Sequence, residues 1–429
     1  MFRLIRLLLA AALIAAAAPS PAAPASDPFA TVRELIDARR YDEARAFAVE
    51  FGRTPEVKAN NLAFIDALIL KRDGRLAEAA EAMRALLSIS PNFDLVRTEL
   101  AHTLYLMGDY DAAKHHFELL SGAARFPESR NLYDRFLADI DRRRPWTLNA
   151  YVNIAPSTNI NNGLDDDTVI IGGVPFSGAT KKESGVGLGY GVDGSYRFDL
   201  SERTDFTLGA SVNGTMYTDH SYDTTTGQAF AEVAFEFPGW RTGVAIAAER
   251  VLSGWQGYNW GLGPQFSLRR DFGRSGTVFA TASWKALKYD RNPELDGSET
   301  SVGLKYRYVL NPASEVVFGA AYTHIAAAVP FNGYDGIKPS LEIYRELRNG
   351  VIADMRLAYE HRRYGADFPL LGYPRIDNGF EFAAGVAFRR FAVHGFAPRI
   401  EYLYRRTSSN IELFDTDSHA VSLTFTKRY

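Results

Sequence analysis

From Trp146 to the end of the chain, apolar and polar residues alternate in segments of ten or more residues. In "FTLGASVNGTM" (206–216) every second residue is apolar as far as Val212, and "VGLKYRY" (302–308) sets Val302 and Leu304 against Lys305. This period of two predicts strands with one apolar and one wet face. Because ordinary soluble strands have about five or six residues, whereas a tilted strand crosses a bilayer with about nine to eleven, the segments predict transmembrane strands.

The polar phase of these strands decides between a soluble sandwich and a membrane barrel. Charged residues recur on it, and they are intolerable in a sandwich core but suit a watery lumen. Aromatic residues such as Trp146, Trp240 and Trp260 recur near the strand ends on the apolar phase, as in the girdles at membrane interfaces. The predicted lumen charges are Arg197, Glu232, Arg241, Lys305, Arg307, Arg356, Glu360, Arg399 and Glu401.

The segments are fourteen in number, which is even, as in closed single-chain bacterial barrels. Their joins alternate in length: those at 238–239, 348–349 and 391–393 are short, and those at 156–183 and 364–377 are long. Short joins are expected in the periplasm and long ones outside the cell. The predicted strands are 146–155, 184–198, 203–217, 227–237, 239–252, 256–270, 276–289, 298–310, 314–327, 336–347, 350–363, 378–391, 393–406 and 417–429.

The N-terminal third has a different pattern, with two similar units that begin 34 residues apart, at Gly74 and Gly108. Each has a turn, then a bulky, a small and a large residue at matching offsets, which resembles the tetratricopeptide repeat. Such repeats stack as helix pairs and leave a concave face for a partner, although a lid or a spacer is the alternative. The predicted packing residues are Gly74, Ala79, Pro91, Gly108, Tyr110, Ala113 and Phe117.

Polar residues of the repeats are candidates for the concave face or for the solvent. Asn60, Asn61, Arg97 and His102 are candidates for the groove, but helix phase alone does not establish it. His115 and His116 are adjacent, so they point about 100° apart on a helix and do not form a metal pair. We predict that both face solvent.

The first residues of the chain and its composition limit where the protein resides and which chemistry it can perform. Residues 1–25 carry Arg3 and Arg6, an apolar run and small residues ending in Ala23-Pro24-Ala25, which predicts a secretory signal peptide. The chain has no cysteine, which excludes thiol chemistry, and its 48 basic and 51 acidic residues give no field that favours nucleic acid. The prediction is a two-domain α+β protein: a periplasmic α-solenoid of tetratricopeptide type (26–145), then a transmembrane antiparallel β-barrel of about 14 strands (146–429).

The segment "RPWTLNAYVNIAPSTNINNG" (144–163) resembles the start of the barrel in the surface lipoprotein assembly modulator (Slam) family. In that family a strand that begins near a tryptophan ends in a P-x-x-N-x-N turn, whose places are filled here by Pro156, Asn159 and Asn161. The resemblance implies a protein of the outer membrane that moves clients to the cell surface. The implied clients are surface lipoproteins, or secreted proteins that capture haem or metal, and they commonly carry a small β-barrel domain.

The last strand carries a second, weaker signal. Leu423, Phe425 and the terminal Tyr429 lie on one face of "SHAVSLTFTKRY", which resembles the signal by which outer-membrane barrels are recognised by the barrel assembly machinery. We expect a monomer in contact with outer-membrane lipid, without a cofactor.

Several alternatives remain open at this point. The long loop after the first strand either folds locally through its asparagines or gates the lumen. An unpaired edge between the first and last strands could template client strands.

A polysaccharide or small-solute export porin with periplasmic repeats is the rival transporter, although the short repeat array and the turn argue against it. An enzyme is not expected, because the strand histidines lie in separate strands without a paired serine motif; they are His324, His361, His394 and His419. Asp165, Asp166 and Asp167 are more commonly a charged loop tip than a calcium site.

Overall fold

The computed structural model describes residues 28–50, 52–171, 173–272, 275–369, 371–392 and 396–426. The predicted signal peptide and Tyr429 lie outside these residues. The chain divides into two compact units, one up to Gly74 and one from Arg75 onward. Among the described residues, no helix has the length and apolar character needed to cross a membrane.

The first unit contains three described helices, α1 (Pro28–Asp37), α2 (Tyr41–Glu50) and α3 (Pro55–Arg72). Proline stands at the start of α3, where its missing N–H costs nothing, and the Thr54 hydroxyl accepts a hydrogen bond from the Val57 N–H at 3.2 Å. The helices are held together by a small apolar core that includes Val32, Phe64 and Ile65, all fully buried.

The second unit begins with four helices, α4 (Leu76–Ile89), α5 (Asp94–Met107), α6 (Tyr110–Ala123) and α7 (Pro127–Arg143). They form two helix pairs whose first helices start 34 residues apart, as the sequence repeat predicts. Gly108 ends α5 with a φ of +77°, a left-handed conformation in which glycine has no steric penalty. The small Ala79 and Ala113 are fully buried between helices, and Phe117 stacks on Phe136 with ring centroids 4.7 Å apart.

A closed barrel of 14 antiparallel strands follows, and it confirms the predicted fold class. Each strand pairs with its neighbours in the chain, and the first strand closes on the last. A two-stranded hairpin, β2 (Thr168–Ile171) and β3 (Val174–Ser177), stands in the loop after β1. The barrel strands are β1 Trp146–Ser157, β4 Gly185–Ser201, β5 Thr204–Met216, β6 Thr224–Phe237, β7 Trp240–Ser253, β8 Gln256–Phe272, β9 Gly276–Tyr289, β10 Gly297–Asn311, β11 Ser314–Ala327, β12 Tyr334–Glu346, β13 Val351–Asp367, β14 Pro374–Phe388, β15 Ala397–Ser409 and β16 Thr416–Thr426.

One predicted long join is mostly strand. Residues 364–377 were expected to form an extracellular loop, but β13 continues to Asp367 and β14 begins at Pro374. The extension arises because Tyr364 and Arg363 still pair with β12, and the arginine also pairs with Ile376 of β14. The residues between β14 and β15 include 393–395, so that predicted short join lies partly outside the described residues.

The outer face of the barrel is apolar. Large side chains such as Val212, Val244, Ile246 and Leu304 are about half exposed on it, although they would be buried in a soluble protein. Such a band faces lipid in transmembrane barrels, and charged side chains occupy the alternate, inward positions.

Candidate functional site

Among the described residues, β1 and β16 share fewer ladder pairs than any other two neighbouring strands of the barrel. The described residues of these two strands form three ladder pairs, Asn153–Thr424, Ile154–Leu423 and Ser157–Ala420. Every other neighbouring pair of barrel strands is joined by at least eleven. The same register sets Val152 beside Phe425 and places residues 148–150 opposite 427–429, which lie outside the described residues. We call the contact between β1 and β16 the seam.

The backbone of β1 explains part of the interruption. The Thr158 N–H donates to the His419 carbonyl of β16 at 2.9 Å, whereas the Pro145 carbonyl accepts from Arg197 of β4 at 2.7 Å. Since consecutive residues of an antiparallel strand direct their backbone groups to opposite neighbours, the even-numbered residues of β1 face the seam. Pro156 is one of them, and it has no N–H to donate. The proline of the predicted turn therefore removes a ladder hydrogen bond from the seam.

Asn159 fastens the extracellular end of the seam. Its side chain is 6% exposed, and its Nδ2 donates to the carbonyl of Gly163 at 2.8 Å and to that of Asp417 in β16 at 2.9 Å. Its Oδ1 accepts from the Gly163 N–H at 2.9 Å. The His419 N–H also donates to the Thr158 hydroxyl at 2.9 Å. We call these contacts of Thr158 and Asn159 with β16 the clasp.

Asn161 closes the long loop on itself. Its Nδ2 donates to the Lys181 carbonyl at 2.8 Å, and its Oδ1 accepts from the N–H groups of Gly163 and Glu183 at 3.1 and 3.0 Å. The two asparagines thus fold the loop locally, which was one of the two alternatives left open by the sequence.

The loop packs on the turn between β15 and β16. Leu164, Val169 and Ala179 form a small buried cluster against which Leu413 of that turn packs. The Ile170 N–H donates to the Glu412 carboxylate at 2.8 Å. These contacts place the loop over the extracellular end of the seam.

The acidic tip of the loop after β1 also takes part in ion pairs. Asp165 forms an ion pair with Lys182, which lowers the pKa of that carboxyl group, and Lys182 also pairs with Asp417 at 3.1 Å. Within the described part of the chain, no group of three His, Asp or Glu residues is arranged to hold a metal ion.

The inward side chains of β1 lean away from the seam. β4 carries glycines opposite them, and a Cβ atom at Gly189 or Gly191 would collide with Asn153 or Tyr151 respectively. The glycines of β4 therefore make room for the large polar side chains of β1. The Asn153 Oδ1 is buried and has no hydrogen-bond partner among the described residues. The side chains of Tyr151 and Asn153 therefore lie over β4.

The predicted lumen charges are all engaged in polar contacts. Arg197 donates to the Asp141 carbonyl of α7 and to Asp199, Glu232 accepts from Ser267, and Arg241 pairs with Asp205. The other pairs are Lys305–Glu342, Arg307–Glu315, Arg356–Glu381, Arg362–Glu360, Arg399–Asp354 and Arg399–Glu401. Cations and anions thus lie side by side, either within one strand or one or two strands apart, so this wall does not present a field of one sign.

The helices of the second unit rest on the opposite, periplasmic rim through a buried charge cluster. The Arg97 guanidinium of α5 is fully buried and donates to the two carboxylate oxygens of Glu346, at the end of β12, at 3.1 and 2.8 Å. It also donates to the Pro91 carbonyl at 2.9 Å, and Arg389 lies 3.4 Å from the same carboxylate. We call this cluster the junction.

His116 of α6 completes the junction and corrects a prediction. It was expected to face solvent, but it is 2% exposed, and its Nδ1 lies 3.2 Å from the Arg97 guanidinium. Since arginine only donates, the ring nitrogen accepts and the histidine is neutral. Burial, followed by the positive charge of Arg97, lowers the pKa of His116 well below its ordinary value.

The comparisons with known proteins agree with this architecture. The sequence profile described as "Surface lipoprotein assembly modifier" matches residues 146–429, and a tetratricopeptide repeat profile matches residues 70–136. The chain belongs to the surface lipoprotein assembly modifier family. This membership confirms the predicted resemblance and supports a role in surface lipoprotein assembly.

Individual relatives of this family are distant. Surface lipoprotein assembly modifier 1 of Haemophilus influenzae is 20% identical over 86% of this chain and 77% of its own length. The surface lipoprotein assembly modifier of Pasteurella multocida is 21% identical over 94% of this chain and 84% of its own. Among solved structures, a loop-deletion mutant of OmpT, an outer membrane protein of Vibrio cholerae, covers 66% of this chain and 99% of its own, with 9% identity and a TM-score of 0.37.

Membership of the family, together with the lipid-facing outer wall, places the barrel in the outer membrane. The helices lie at the end of the barrel with short turns, such as 202–203 and 238–239, which is the periplasmic end. The predicted localisation is therefore confirmed.

The groove prediction for the repeats is wrong for Asn61 and Arg97. Asn61 is buried and donates to the Ala48 carbonyl at 3.0 Å, and Arg97 is committed to Glu346. His102 is half-buried and packs against Tyr105 and Phe136. The side chains of Asn61 and Arg97 are therefore used for folding rather than for an open concave face. The partner of Arg97 comes from a position 249 residues away, for which the sequence offers no signal.

Residues of the predicted terminal signal face outward where they are described. Leu423 and Phe425 are 39% and 56% exposed on the lipid-facing side of β16. The role of Pro156 in the seam was missed by sequence reasoning. It could have been found by asking which neighbour strand its absent N–H would face.

Proposed function

We propose that this protein is an outer-membrane translocon that delivers client proteins from the periplasm to the cell surface. The clients are surface lipoproteins, or secreted proteins that capture haem or metal and carry a small β-barrel domain. The proposal is supported by the family membership and by a closed barrel whose periplasmic rim carries helical repeats. The observation that carries it furthest is the match of the surface lipoprotein assembly modifier profile to residues 146–429, which is the whole barrel.

The helices α4–α7 serve as a fixed receiving platform at the periplasmic rim. The junction joins α5 and α6 to β12, and Gly122 of α6 packs closely on Val309 of β10. A client held there would be beside the barrel mouth without a separate docking step. The role requires no covalent chemistry, and the protein acts as a monomer whose barrel is inserted by the barrel assembly machinery.

The test uses intact cells that express an epitope-tagged lipoprotein encoded beside this gene, with and without this protein. Surface exposure is measured by added protease and by antibody, and a periplasm-facing lipoprotein serves as the control for membrane integrity. We expect exposure of the tagged lipoprotein only when this protein is present. Equal protection in both strains, with the barrel folded in the outer membrane, would contradict the proposal. Conductance of the purified barrel would then test the export-porin alternative.

A further inference from the structure

We propose that Arg363 of β13 and Arg406 of β15, two outward-facing arginines near the extracellular rim, bind the phosphate groups of a lipid headgroup in the outer leaflet of the membrane. We call them the rim arginines. The inference goes beyond the proposed function, because it requires only that the barrel spans the outer membrane and involves no client.

Both rim arginines lie on the lipid-facing side of their strands. Arg363 follows Tyr359 by four positions and Arg406 follows Ile400 by six, and these two preceding residues are each 47% exposed on the outer wall. Because side chains on one face of a strand recur at every second residue, the arginines point outward as well. β13 ends four residues after Arg363 and β15 ends three residues after Arg406, so both side chains lie near the extracellular end.

The carboxylate opposite Arg363 is already engaged by other groups. Asp335 of β12 lies opposite Arg363 in the ladder. Its carboxylate accepts a hydrogen bond from the Tyr322 hydroxyl at 2.6 Å and lies 2.9 Å from the Nδ1 atom of His324. Both of these groups belong to β11, on the far side of β12 from Arg363. Arg363 forms no ion pair with any residue that the structure describes.

Arg406 repeats this arrangement on the next pair of strands. Asp417 of β16 lies opposite Arg406, but its carboxylate pairs with Lys182 at 3.1 Å, and the Nε2 atom of His419 lies 3.9 Å from its second oxygen. Within the described part of the chain, Arg406 has no ion-pair partner either. Each rim arginine therefore has a facing carboxylate that is occupied by another group.

An arginine without a carboxylate partner on a lipid-facing wall is costly in hydrocarbon, but it is tolerated where its side chain reaches the membrane interface. The phosphate groups of lipid heads are the anions present at that level. A guanidinium group has five N–H donors in a fixed fork, which fits two oxygens of a phosphate. Since both rim arginines are exposed, these donors are accessible to a headgroup.

Other outward cations at the same rim have carboxylate partners within the chain. Arg250 of β7, which follows the lipid-facing Ile246 by four positions, donates to the two oxygens of Asp290 at 3.1 and 2.5 Å. Lys288 of β9 pairs with Asp296 at 2.6 Å. These positive charges are neutralised by the protein itself, whereas those of the rim arginines are not. Charge complementarity therefore favours a phosphorylated headgroup at β13–β15.

The strand between the rim arginines adds a neutral donor. The rim arginines lie opposite Ile376 and Phe380 of β14, and Asn378 lies midway between these two residues. The Asn378 Oδ1 accepts from the Tyr359 hydroxyl at 2.7 Å and from the Nδ1 of His361 at 3.0 Å. Its Nδ2 has no hydrogen-bond partner among the described residues, so it can donate to a headgroup oxygen.

The wall on the membrane side of the rim arginines favours a lipid over a free phosphate ion. Tyr359, Phe380 and Ile400 are 47%, 43% and 47% exposed there, and aromatic side chains at such positions mark the membrane interface. Acyl chains that cover this apolar wall hold the headgroup at the rim. A free ion binds by charge alone and is screened by salt.

The test uses the purified full chain in detergent and native mass spectrometry, which counts the lipid molecules bound to each protein. The probe is lipid A with two phosphate groups, and lipid A from which both phosphates have been removed is the chemical control. The variants are R363Q, R406Q and R363Q/R406Q. R250Q is the matched control, because it removes an outward arginine whose charge Asp290 already neutralises. Heat-modifiable migration on gels checks that all chains are folded.

We expect R363Q and R406Q each to weaken binding of phosphorylated lipid A by about fivefold, the double variant by more than about tenfold, and R250Q by less than about twofold. The unmodified chain should prefer the phosphorylated lipid, and an equimolar amount of inorganic phosphate should not displace it. Equal binding of the two lipids, or equal losses in R363Q and R250Q, would overturn the inference. Displacement by inorganic phosphate would also overturn it, because the anion alone would then suffice. None of these outcomes bears on client export, so the proposed function is tested separately.

Discussion

Buried polar contacts hold a second element against the barrel at each end, and the contacts at the two ends differ in chemistry. At the periplasmic end, the junction buries the charged pair Arg97–Glu346 beside the neutral His116. At the extracellular end, the clasp buries the neutral amide of Asn159. A buried ion that loses its partner remains an uncompensated charge, whereas a neutral amide leaves only unpaired hydrogen-bonding groups. The extracellular end can therefore open at a lower cost in free energy than the periplasmic end.

The difference suits the proposed transport. A junction with buried ions opens rarely, so the helices keep a fixed place at the periplasmic rim. The clasp is held by a few neutral hydrogen bonds, and it lies next to Pro156, which has no N–H to donate to β16. We therefore expect the clasp, rather than the junction, to be the end that opens.

The largest expected effect follows from breaking the junction with R97A. The substitution leaves the Glu346 carboxylate buried with the Tyr344 hydroxyl at 3.2 Å and Arg389 at 3.4 Å as remaining partners, and we expect a loss of about 3–5 kcal/mol in the free energy that holds α5 on the barrel. Hydrogen exchange of the α5 amides in the full chain measures this loss. Since the strands do not depend on the pair, heat-modifiable migration of the barrel is expected to persist.

A triple substitution separates charge from packing at the same place. In R97M/E346L/R389M all three charges of the junction are replaced by apolar groups of similar size, which is often neutral for buried ion pairs and triads. We expect amide protection in α5 to return close to that of the unmodified protein. Protection as low as in R97A would show that the junction depends on the geometry of the pair and not on the cost of an unpaired charge.

Opening the clasp with N159A is expected to have the next largest effect. The substitution leaves the carbonyls of Gly163 and Asp417 without their buried donor, which costs about 1–3 kcal/mol. Cleavage of the loop by added protease on intact cells reports the opening. N161A is the matched control, because Asn161 bonds within the loop and does not contact β16. Equal cleavage in the two variants would contradict a special role for Asn159 at the seam.

The junction should also weaken in mild acid because of His116. Its pKa is lowered in the folded protein, so between that value and the ordinary value of about 6.5 the unfolded state binds more protons, and stability falls as the pH drops below about 6.5. One such group contributes at most about 1.4 kcal/mol per pH unit. Hydrogen exchange of α6 at several pH values measures it.

H116N is the control for this pH dependence, since its amide oxygen can still accept from Arg97 but does not titrate. Burial raises the pKa of the nearby Asp94, which acts in the opposite sense and is present in both proteins. The difference between the two profiles therefore isolates the histidine. Parallel profiles would show that His116 does not carry the effect.

Much of the fold could be predicted from the sequence, because the physical signals are local. Alternation reports which face of a strand meets lipid, and it located all 14 barrel strands. The spacing of Gly74 and Gly108 likewise predicted two helix pairs. The strand ends were less accurate, as at 364–377, because pairing with neighbours extends a strand beyond its alternating core.

The fastenings could not be predicted, because each joins residues that are far apart in the sequence. His116 looked like a solvent-facing residue of an exposed helix, and its burial depends on Glu346, which lies at the end of a strand 230 positions later. The P-x-x-N-x-N turn was visible, but its contact with Asp417 depends on how the barrel closes. Local patterns establish elements, whereas the use of a polar residue depends on the partner that the topology supplies.

The smallest expected effect comes from a charge pair of the same kind in the lumen, and it sharpens the comparison with the junction. Lys305 and Glu342 lie 3.1 Å apart on neighbouring sides of β11, but their side chains are 56% and 37% exposed. Water can solvate whichever charge remains, so K305A should change the free energy of barrel unfolding by no more than about 1 kcal/mol. Urea unfolding followed by tryptophan fluorescence measures it. A loss near that of R97A would mean that the lumen wall is dry at this level, which would argue against an open aqueous path through the lumen.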